Sequence, residues 1–333
     1  MARHRIEEVD IMRGIAAILM ILGHSFIVYP VDISAVPWCH WTGHFIYTFH
    51  MELFFVLAGA VYHCSNYKAF IVKKIKRILV PYVFFGVITL LLKAFGGSAI
   101  NGVESTKEGI MKFLLHGGNY WFLYVLFITF VFYPWIEKVC RTWKAEAILA
   151  VCIMIIRQFT TVTTFFAIST LLYYLPYFVF GKLIASKIHG GGTAAISRRT
   201  KIVVLSIATV LYCAIDIAEN KSGTGFGVIL SFMRAISIIT VLYFLVQDEL
   251  KRFKNRGAIY SIITDCGTYS LQLYLFNGFL LTALRIVICN VLHITTPVLI
   301  AVGIWIGNLV ITLVACKYII SRIPVLRELC GLK

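Results

Sequence analysis

The chain has 333 residues, of which 60% are hydrophobic and only 14% are charged. Soluble domains have roughly 45–50% apolar and about 25% charged residues, so this composition excludes a soluble globular protein. The 31 lysines and arginines outnumber the 15 aspartates and glutamates and give a net charge of +16, but so apolar a chain has no basic face for nucleic acid, and we assign the excess to loops between membrane spans.

A helix needs about 17–25 mostly apolar residues to cross a bilayer, and ten segments of the chain meet or approach this length. The fifth segment is short. The first follows basic residues, as the apolar part of a signal peptide does, but it lacks a cleavage site, and we interpret it as a retained span. In chain order the predicted spans are 11–29, 44–63, 78–95, 120–137, 145–157, 166–185, 202–218, 226–246, 262–284 and 297–319.

Lysine and arginine are concentrated in alternate loops, as the positive-inside rule requires. If the N-terminus is cytoplasmic, 23 of them fall on the cytoplasmic side and six fall outside, at Lys93, Lys107, Lys112, Arg157, Lys221 and Arg285. We therefore predict an all-α polytopic membrane protein with about ten transmembrane helices and both termini in the cytoplasm. Because glycine and proline are few and no repeat is visible, we predict a single membrane domain over residues 1–333.

Four ionisable side chains inside predicted spans stand out: Arg13, His24, Glu52 and Arg234. Each costs about 2.5–3.5 kcal/mol on insertion scales, so each is a candidate functional residue. His50, two residues before Glu52, is a fifth candidate. Two structural alternatives remain open, an ion pair between Glu52 and Arg234 and snorkelling of Arg13 to the membrane surface.

The spacing of these residues predicts a site in the outer half of the membrane. Arg13 and His24 are eleven residues apart, which places them on one face of a helix and about 16 Å apart along its axis. His50, Glu52 and Arg234 fall about 9–12 Å below the outer ends of their spans, at a depth similar to that of His24. We therefore expect Arg13 and His24 to line one channel.

No sequence pattern indicates a metal site or a soluble-enzyme motif. His40 and His44 have the spacing of helical metal ligands, but no HExxH motif surrounds them and Trp38 and Trp41 are beside them, so we expect interfacial polarity and no metal. The nine cysteines are scattered and never form CxxC, which argues against a disulfide framework or zinc ribbon. No nucleophile elbow, Walker loop or GxGxxG loop is present.

Several segments together resemble the integral-membrane acyltransferase-3 family. They are VDIMRGIAA at residues 9–17 followed by His24, FHMELFFVLAG at 49–59, FIVKKIKRILVPY at 70–82, WFL at 121–123 and GTYSLQLYL at 267–275. The order and spacing of the first three segments carry most of the resemblance. The chain differs where the family often has proline, serine and histidine, at Glu52, Ala58 and Asn277. It ends soon after the tenth span, so we expect transfer without the SGNH domain of some relatives.

The resemblance implies transfer of an acyl group, most often acetyl, from cytoplasmic acyl-CoA to a hydroxyl of a cell-surface carbohydrate or lipid-linked glycan. His24 is then expected to act as the base, because neutral histidine can accept the hydroxyl proton. An extended pantetheine arm reaches about 15–20 Å, which is comparable with the separation of Arg13 and His24. The expected catalytic residues are His24, Arg13, Glu52 and Arg234.

The expected acyl-CoA contacts are Arg13, Lys73, Lys74, Lys76 and Arg77, although the positive-inside rule alone also accounts for the last four. The expected substrate contacts are His50, Trp121, Tyr274 and Asn277, and Arg234 or Asn277 could supply an oxyanion donor.

The other expected partners are membrane lipids, and we expect no nucleic acid; the sequence leaves a homodimer open. The expected location is the cytoplasmic (inner) membrane of a bacterium. The alternative function is a transporter or flippase for a lipid-linked glycan or small polar substrate, in which the same buried charges line the transport pathway. Against it, the sequence shows no paired halves with matching broken helices.

Overall fold

A computed structural model describes residues 7–26, 33, 36–96, 106–160, 162–189, 198–222, 227–252 and 257–332. These residues are mostly helical and contain no strand, which confirms the all-α class. The helices are α1 Glu7–Ser25, α2 Pro37–Tyr47, α3 His50–Ala60, α4 Tyr67–Lys74, α5 Val80–Gly96, α6 Thr106–His116, α7 Trp121–Cys140, α8 Trp143–Phe159, α9 Ile168–His189, α10 Arg198–Ser222, α11 Val228–Arg252, α12 Ala258–Thr268, α13 Ser270–Arg285, α14 Pro297–Tyr318 and α15 Pro324–Leu329.

Seven helical segments among the described residues are long and apolar enough to cross a membrane, so the chain is an integral membrane protein. They correspond to the predicted third, fourth and sixth to tenth spans, but the ninth, predicted at 262–284, is interrupted at Tyr269 between α12 and α13. Their bounds are Tyr67–Ala94, Lys107–Cys140, Phe165–Ala185, Arg199–Glu219, Val228–Leu250, Ser270–Val291 and Pro297–Arg322.

The other three predicted spans are helical but do not reach that length and polarity limit. Helix α1 carries acidic residues in its first turn, and α8 is 17 residues long. Ten spans with cytoplasmic termini therefore stay a prediction, and residues 1–6 and 333 lie outside the described part of the chain.

The predicted second span, 44–63, is wrong as a continuous helix. It consists of α2 and α3, which are separated at Thr48 and Phe49, and Phe49 has φ −151° and ψ −14°. The Thr48 hydroxyl donates a hydrogen bond to the carbonyl oxygen of Phe45 at 2.7 Å. Such local bonds compete with the helical pattern, and average hydropathy does not register them.

The chain forms two compact units, each made of two stretches of sequence. The first unit comprises residues 1–61 and 180–313, and the second comprises residues 62–179 and 314–333. The single membrane domain over 1–333 stays a prediction.

In the first unit, α1 packs against α12 through two glycines. A Cβ on Gly14 would lie 2.0 Å from the carbonyl oxygen of Ile263, and a Cβ on Gly267 would lie 2.0 Å from the carbonyl oxygen of Asp10. Both obstacles are backbone atoms, so neither can move aside as a side chain can. The absence of a side chain at both positions therefore fixes the distance between the two helices.

We expect Gly267→Ala to destabilise the protein, because the added methyl group forces α1 and α12 apart and overpacking typically costs about 1–3 kcal/mol. Gly278→Ala on α13 is the matched control, since nothing lies within 4 Å of its Cβ position. The control should match the wild type or exceed it slightly, as alanine favours the helix. Thermal unfolding of both variants in detergent checks this, and equal midpoints for the two would contradict the close α1–α12 contact.

In the second unit, α4 continues through a π-helical turn at Ile75–Leu79 into α5. Helix α7 runs antiparallel to this long helix, since Phe130 contacts Phe70 and Tyr124 contacts Tyr82. The segment between the third and fourth predicted spans also contains a helix, α6, which the span prediction did not include. Phe113 of α6 stacks on Tyr82 at 4.7 Å between ring centroids.

Candidate active site

The break between α2 and α3 brings two histidines of the first unit to one tyrosine. The His24 ring at the end of α1 contacts the Tyr47 ring edge-on, with centroids 5.9 Å apart, and the Tyr47 hydroxyl lies 3.4 Å from His24 Nδ1. The His50 ring contacts the same tyrosine from the start of α3, with centroids 5.1 Å apart. Histidines 26 positions apart in the sequence thus belong to one group.

The two histidines differ in access. His50 is 3% exposed, and its Nδ1 donates to the carbonyl oxygen of Ile46 at 2.9 Å, which leaves the lone pair on Nε2. His24 is only partly buried. The ring of His24 is therefore more accessible than that of His50; the roles expected of them, His24 as the base and His50 as a substrate contact, stay predictions.

Arg13 lies on α1, eleven residues before His24 and about 16 Å from it along the helix axis. Its Nη1 lies 3.3 Å from Asp10 Oδ1, and both side chains are partly exposed. The arginine is therefore held towards the start of α1 by a neighbouring carboxylate rather than buried in the core. Asp10 is a partner that the sequence argument did not name.

Glu52 is buried in the first turn of α3, with 5% of its surface exposed. A carboxylate in the first turn of a helix is stabilised by the helix dipole and by the backbone amides at that end. The helix dipole contributes about 0.3–2 kcal/mol at such a position, so it offsets part of the cost of burying Glu52.

Arg234 pairs with two acids of α10. Its Nη1 lies 3.6 Å from Asp216 Oδ1 and also contacts Glu219 Oε2. His44 joins the same group, because its Nε2 lies 2.9 Å from Asp216 Oδ1. The ion pair of Arg234 is thus made with α10 and not, as the structural alternative had it, with Glu52.

Asp216 and Glu219 are residues of this group that the sequence argument did not select, and it interpreted His44 as interfacial polarity only. Asp216 lies in the predicted seventh span, and an acid in an apolar segment is the signal that could have identified it. One ligand atom of each of the three lies within 4.8 Å of the others, a spacing that could hold a metal ion. The Arg234 guanidinium already supplies positive charge to both carboxylates there. His40, the other histidine of the pair considered in the sequence, does not belong to the group of three and lies edge-on to Trp41.

Two substrate-binding candidates lie on α13, which packs beside α1. Tyr274 packs against the buried cluster that contains Ala17 and Met20 of α1. The Oδ1 atom of Asn277 accepts a hydrogen bond from Asn308 Nδ2 of α14 at 2.9 Å, and Asn308 is fully buried. This bond fixes the orientation of the Asn277 amide and directs its NH₂ group away from Asn308.

The second unit has a basic cleft where the long helix begins. The cleft is open to one side, has a volume of about 720 Å³ and is lined by Lys68, Lys73, Lys76 and Arg77 together with Glu328 and Leu332. Lys74 points to a different side and stands over the Phe130 ring, 3.3 Å from its centroid. Three of the four predicted phosphate contacts of this segment, together with Lys68, therefore face one cavity.

Trp121 belongs to an aromatic group of the second unit. Its ring stacks on that of Tyr174 with centroids 5.3 Å apart, and Tyr174 in turn lies beside Tyr177, which is 1% exposed. Stacked rings of this kind present a flat surface with polar edges.

A protein-family model described as an acyltransferase domain matches residues 6–317. The match includes His24, Tyr47, Arg234 and Asn277 and the four cations of the basic cleft. The chain has no significant match among the curated proteins or the solved structures.

Proposed function

Since the chain belongs to the acyltransferase-3 family, we propose that it transfers an acyl group, most often acetyl, from cytoplasmic acyl-CoA to a hydroxyl of a cell-surface carbohydrate or lipid-linked glycan. The family membership and the apolar helices make it an integral-membrane acyltransferase. The donor, the acceptor and the location in a bacterial cytoplasmic membrane belong to the proposal.

The observation that carries the donor assignment is the basic cleft. Coenzyme A bears phosphate groups, and phosphates are bound by arginine and lysine through charge-assisted hydrogen bonds. Lys68, Lys73, Lys76 and Arg77 provide four such donors around one cavity. The positive-inside rule explains cations at the cytoplasmic surface, but it does not require them to line a common cleft.

In the chemical step, the acceptor hydroxyl oxygen attacks the carbonyl carbon of the thioester. The new C–O bond forms as the C–S bond breaks, His24 takes the hydroxyl proton, and the coenzyme A thiolate leaves and is reprotonated. Base catalysis of this kind typically contributes about 10²–10⁴-fold to the rate. The partly exposed position of His24 gives the hydroxyl access to its ring.

Tyr47 and Asn277 have supporting roles in this proposal. If His24 Nδ1–H donates to the Tyr47 hydroxyl oxygen, Nε2 keeps the lone pair that accepts the proton. The Asn277 NH₂ group, oriented by Asn308, serves as a donor to the oxyanion or to a substrate hydroxyl. Arg13 holds a phosphate or the pantetheine arm at the other end of α1.

We expect the triple variant Lys73→Gln/Lys76→Gln/Arg77→Gln to weaken acetyl-CoA binding by about tenfold or more, because each removed cation takes away a charge-assisted phosphate contact. The matched control is Lys144→Gln, an exposed lysine of the same unit that stands over the Trp143 ring and does not line the cleft. Calorimetric titration of the purified protein in nanodiscs measures both affinities.

Equal acetyl-CoA affinity in the triple variant and in the control would contradict the cleft as the donor site. A wild-type protein that neither binds nor consumes acetyl-CoA would contradict the donor itself and would favour the transporter alternative.

A further inference from the structure

A second cavity of the second unit lies along the later part of α5. It encloses about 290 Å³, which suits a single small polar group such as one sugar unit rather than a lipid chain. Its walls are formed by α5, by α6 and by the turn that leads into α7. The lining includes the polar side chains of Thr89, Lys93, Lys112, His116, Asn119 and Tyr120.

The basic cleft and this cavity are at opposite ends of one helix. Arg77 and Lys93 are sixteen residues apart on the continuous segment Tyr67–Ala94, which corresponds to about 24 Å along the axis. That distance approaches the thickness of the hydrocarbon core, about 30 Å. If the basic cleft opens to the cytoplasm, the second cavity lies towards the outer face.

The cavity is lined by lysines on the side of the membrane where the sequence predicts few cations. Only six lysines and arginines are predicted outside, and two of them, Lys93 and Lys112, line this one cavity together with His116. Its lining among the described residues includes no aspartate or glutamate. Cations that the positive-inside rule does not explain, gathered around one cavity, indicate an anionic ligand.

One wall of the cavity is set by close packing of the Gly86 backbone against the Phe113 side chain. A Cβ on Gly86 would lie 2.1 Å from the Phe113 ring, so α5 and α6 are in direct contact, and Gly117 turns the chain with φ +82°. The Thr89 hydroxyl donates to the carbonyl oxygen of Phe85 at 2.8 Å, so the Tyr120 hydroxyl, 3.3 Å away, donates to Thr89. The cavity is therefore preformed and does not need a ligand to assemble it.

We propose that this cavity binds an anionic sugar unit of the acyl acceptor, with Lys93, Lys112 and His116 holding its phosphate or carboxylate group. The Asn119 amide is placed to bind the sugar hydroxyls. The inference rests on the proposed function, because it assigns a charge to the acceptor of that reaction. A carboxylate and a phosphate ester present the same chemistry to these side chains.

The test is titration of the purified full-length protein with a hexose monophosphate, with glucuronate and with neutral glucose. The wild type should bind one or both anionic sugars, with an affinity that falls as salt rises, and should bind glucose more weakly. The anionic sugar that binds with the higher affinity identifies phosphate or carboxylate as the recognised group. The double variant Lys93→Gln/Lys112→Gln should weaken that binding about tenfold, with acetyl-CoA affinity unchanged.

The matched control is Lys107→Gln, an exposed lysine of α6 that does not line the cavity. Equal binding of neutral and anionic sugars, or equal anionic-sugar affinity in the double variant and the control, would overturn the inference while leaving the proposed acyl transfer untouched. Lysine-dependent sugar binding by a wild-type protein that transfers no acetyl group would support the binding site and contradict the proposed function instead.

Discussion

Replacing His24 with alanine should lower acyl transfer by about 10²–10⁴-fold while acetyl-CoA binding is retained. The alanine cannot accept the proton of the attacking hydroxyl, and the hydroxyl is a poor nucleophile while it keeps that proton. The phosphate contacts assigned to the basic cleft do not include His24, so donor affinity should not change. Turnover and acetyl-CoA affinity are measured on the same purified variant.

His40→Ala is the matched control for this substitution. His40 is an exposed histidine of α2 that lies edge-on to Trp41, two helical turns before Tyr47. The control should keep the wild-type rate. A His24→Ala variant that turns over as fast as His40→Ala would show that His24 is not the base.

Arg234→Met should destabilise the protein by about 3–5 kcal/mol, the typical cost of removing one partner of a buried ion pair. The guanidinium neutralises Asp216 and Glu219, and its side chain is only 10% exposed. Without it, two carboxylates face each other with His44 as the neighbouring cationic candidate. Thermal unfolding in detergent and the amount of protein in the membrane both report the effect.

The triple variant Arg234→Met/Asp216→Asn/Glu219→Gln separates stability from catalysis. Removing all three charges should restore most of the stability, because no carboxylate is left unpaired. If transfer returns with stability, Arg234 is a structural residue of the first unit. If the triple variant is stable but inactive, the group formed by Arg234, Asp216 and Glu219 acts on the substrate, as the sequence argument expected of Arg234. An Arg234→Met protein as stable as the wild type would contradict the ion pairs seen here.

Hydropathy predicted the helices whose whole length is apolar and did not predict where they break. A run of apolar residues is enough to predict a segment such as Pro297–Arg322. Seven of the predicted spans are long and apolar enough in the structure to cross a membrane. The α2–α3 break depends on the backbone at Phe49 and on a hydroxyl bond from Thr48. The span prediction did not include helix α6, because its lysines were assigned to an outside loop, although Phe113 of this helix packs against Tyr82 of α5.

The sequence predicted those residues of the candidate site that are ionisable and lie in an apolar segment, because such side chains cost free energy to place in a membrane. His24, His50 and Glu52 were found in this way, and two of these three do meet at Tyr47. Tyr47 and Asn308 carry no such signal, because tyrosine is ordinary near a membrane surface and a buried asparagine needs its partner to be recognised. Helical periodicity did not separate Lys74 from the cleft, because Lys74 and Arg77 are three residues apart and share a face of a regular helix, and the π-helical turn at Ile75–Leu79 interrupts that regularity.

The central claim is that this chain moves an acyl group onto a surface glycan with His24 as the base. Mass spectrometry of surface glycans from cells that lack the gene, complemented with the wild type or with His24→Ala at equal membrane levels, tests it most directly. The account predicts an added acyl group on the glycan with the wild type and its loss with His24→Ala. The same acyl content with both proteins, or none with either, would contradict it.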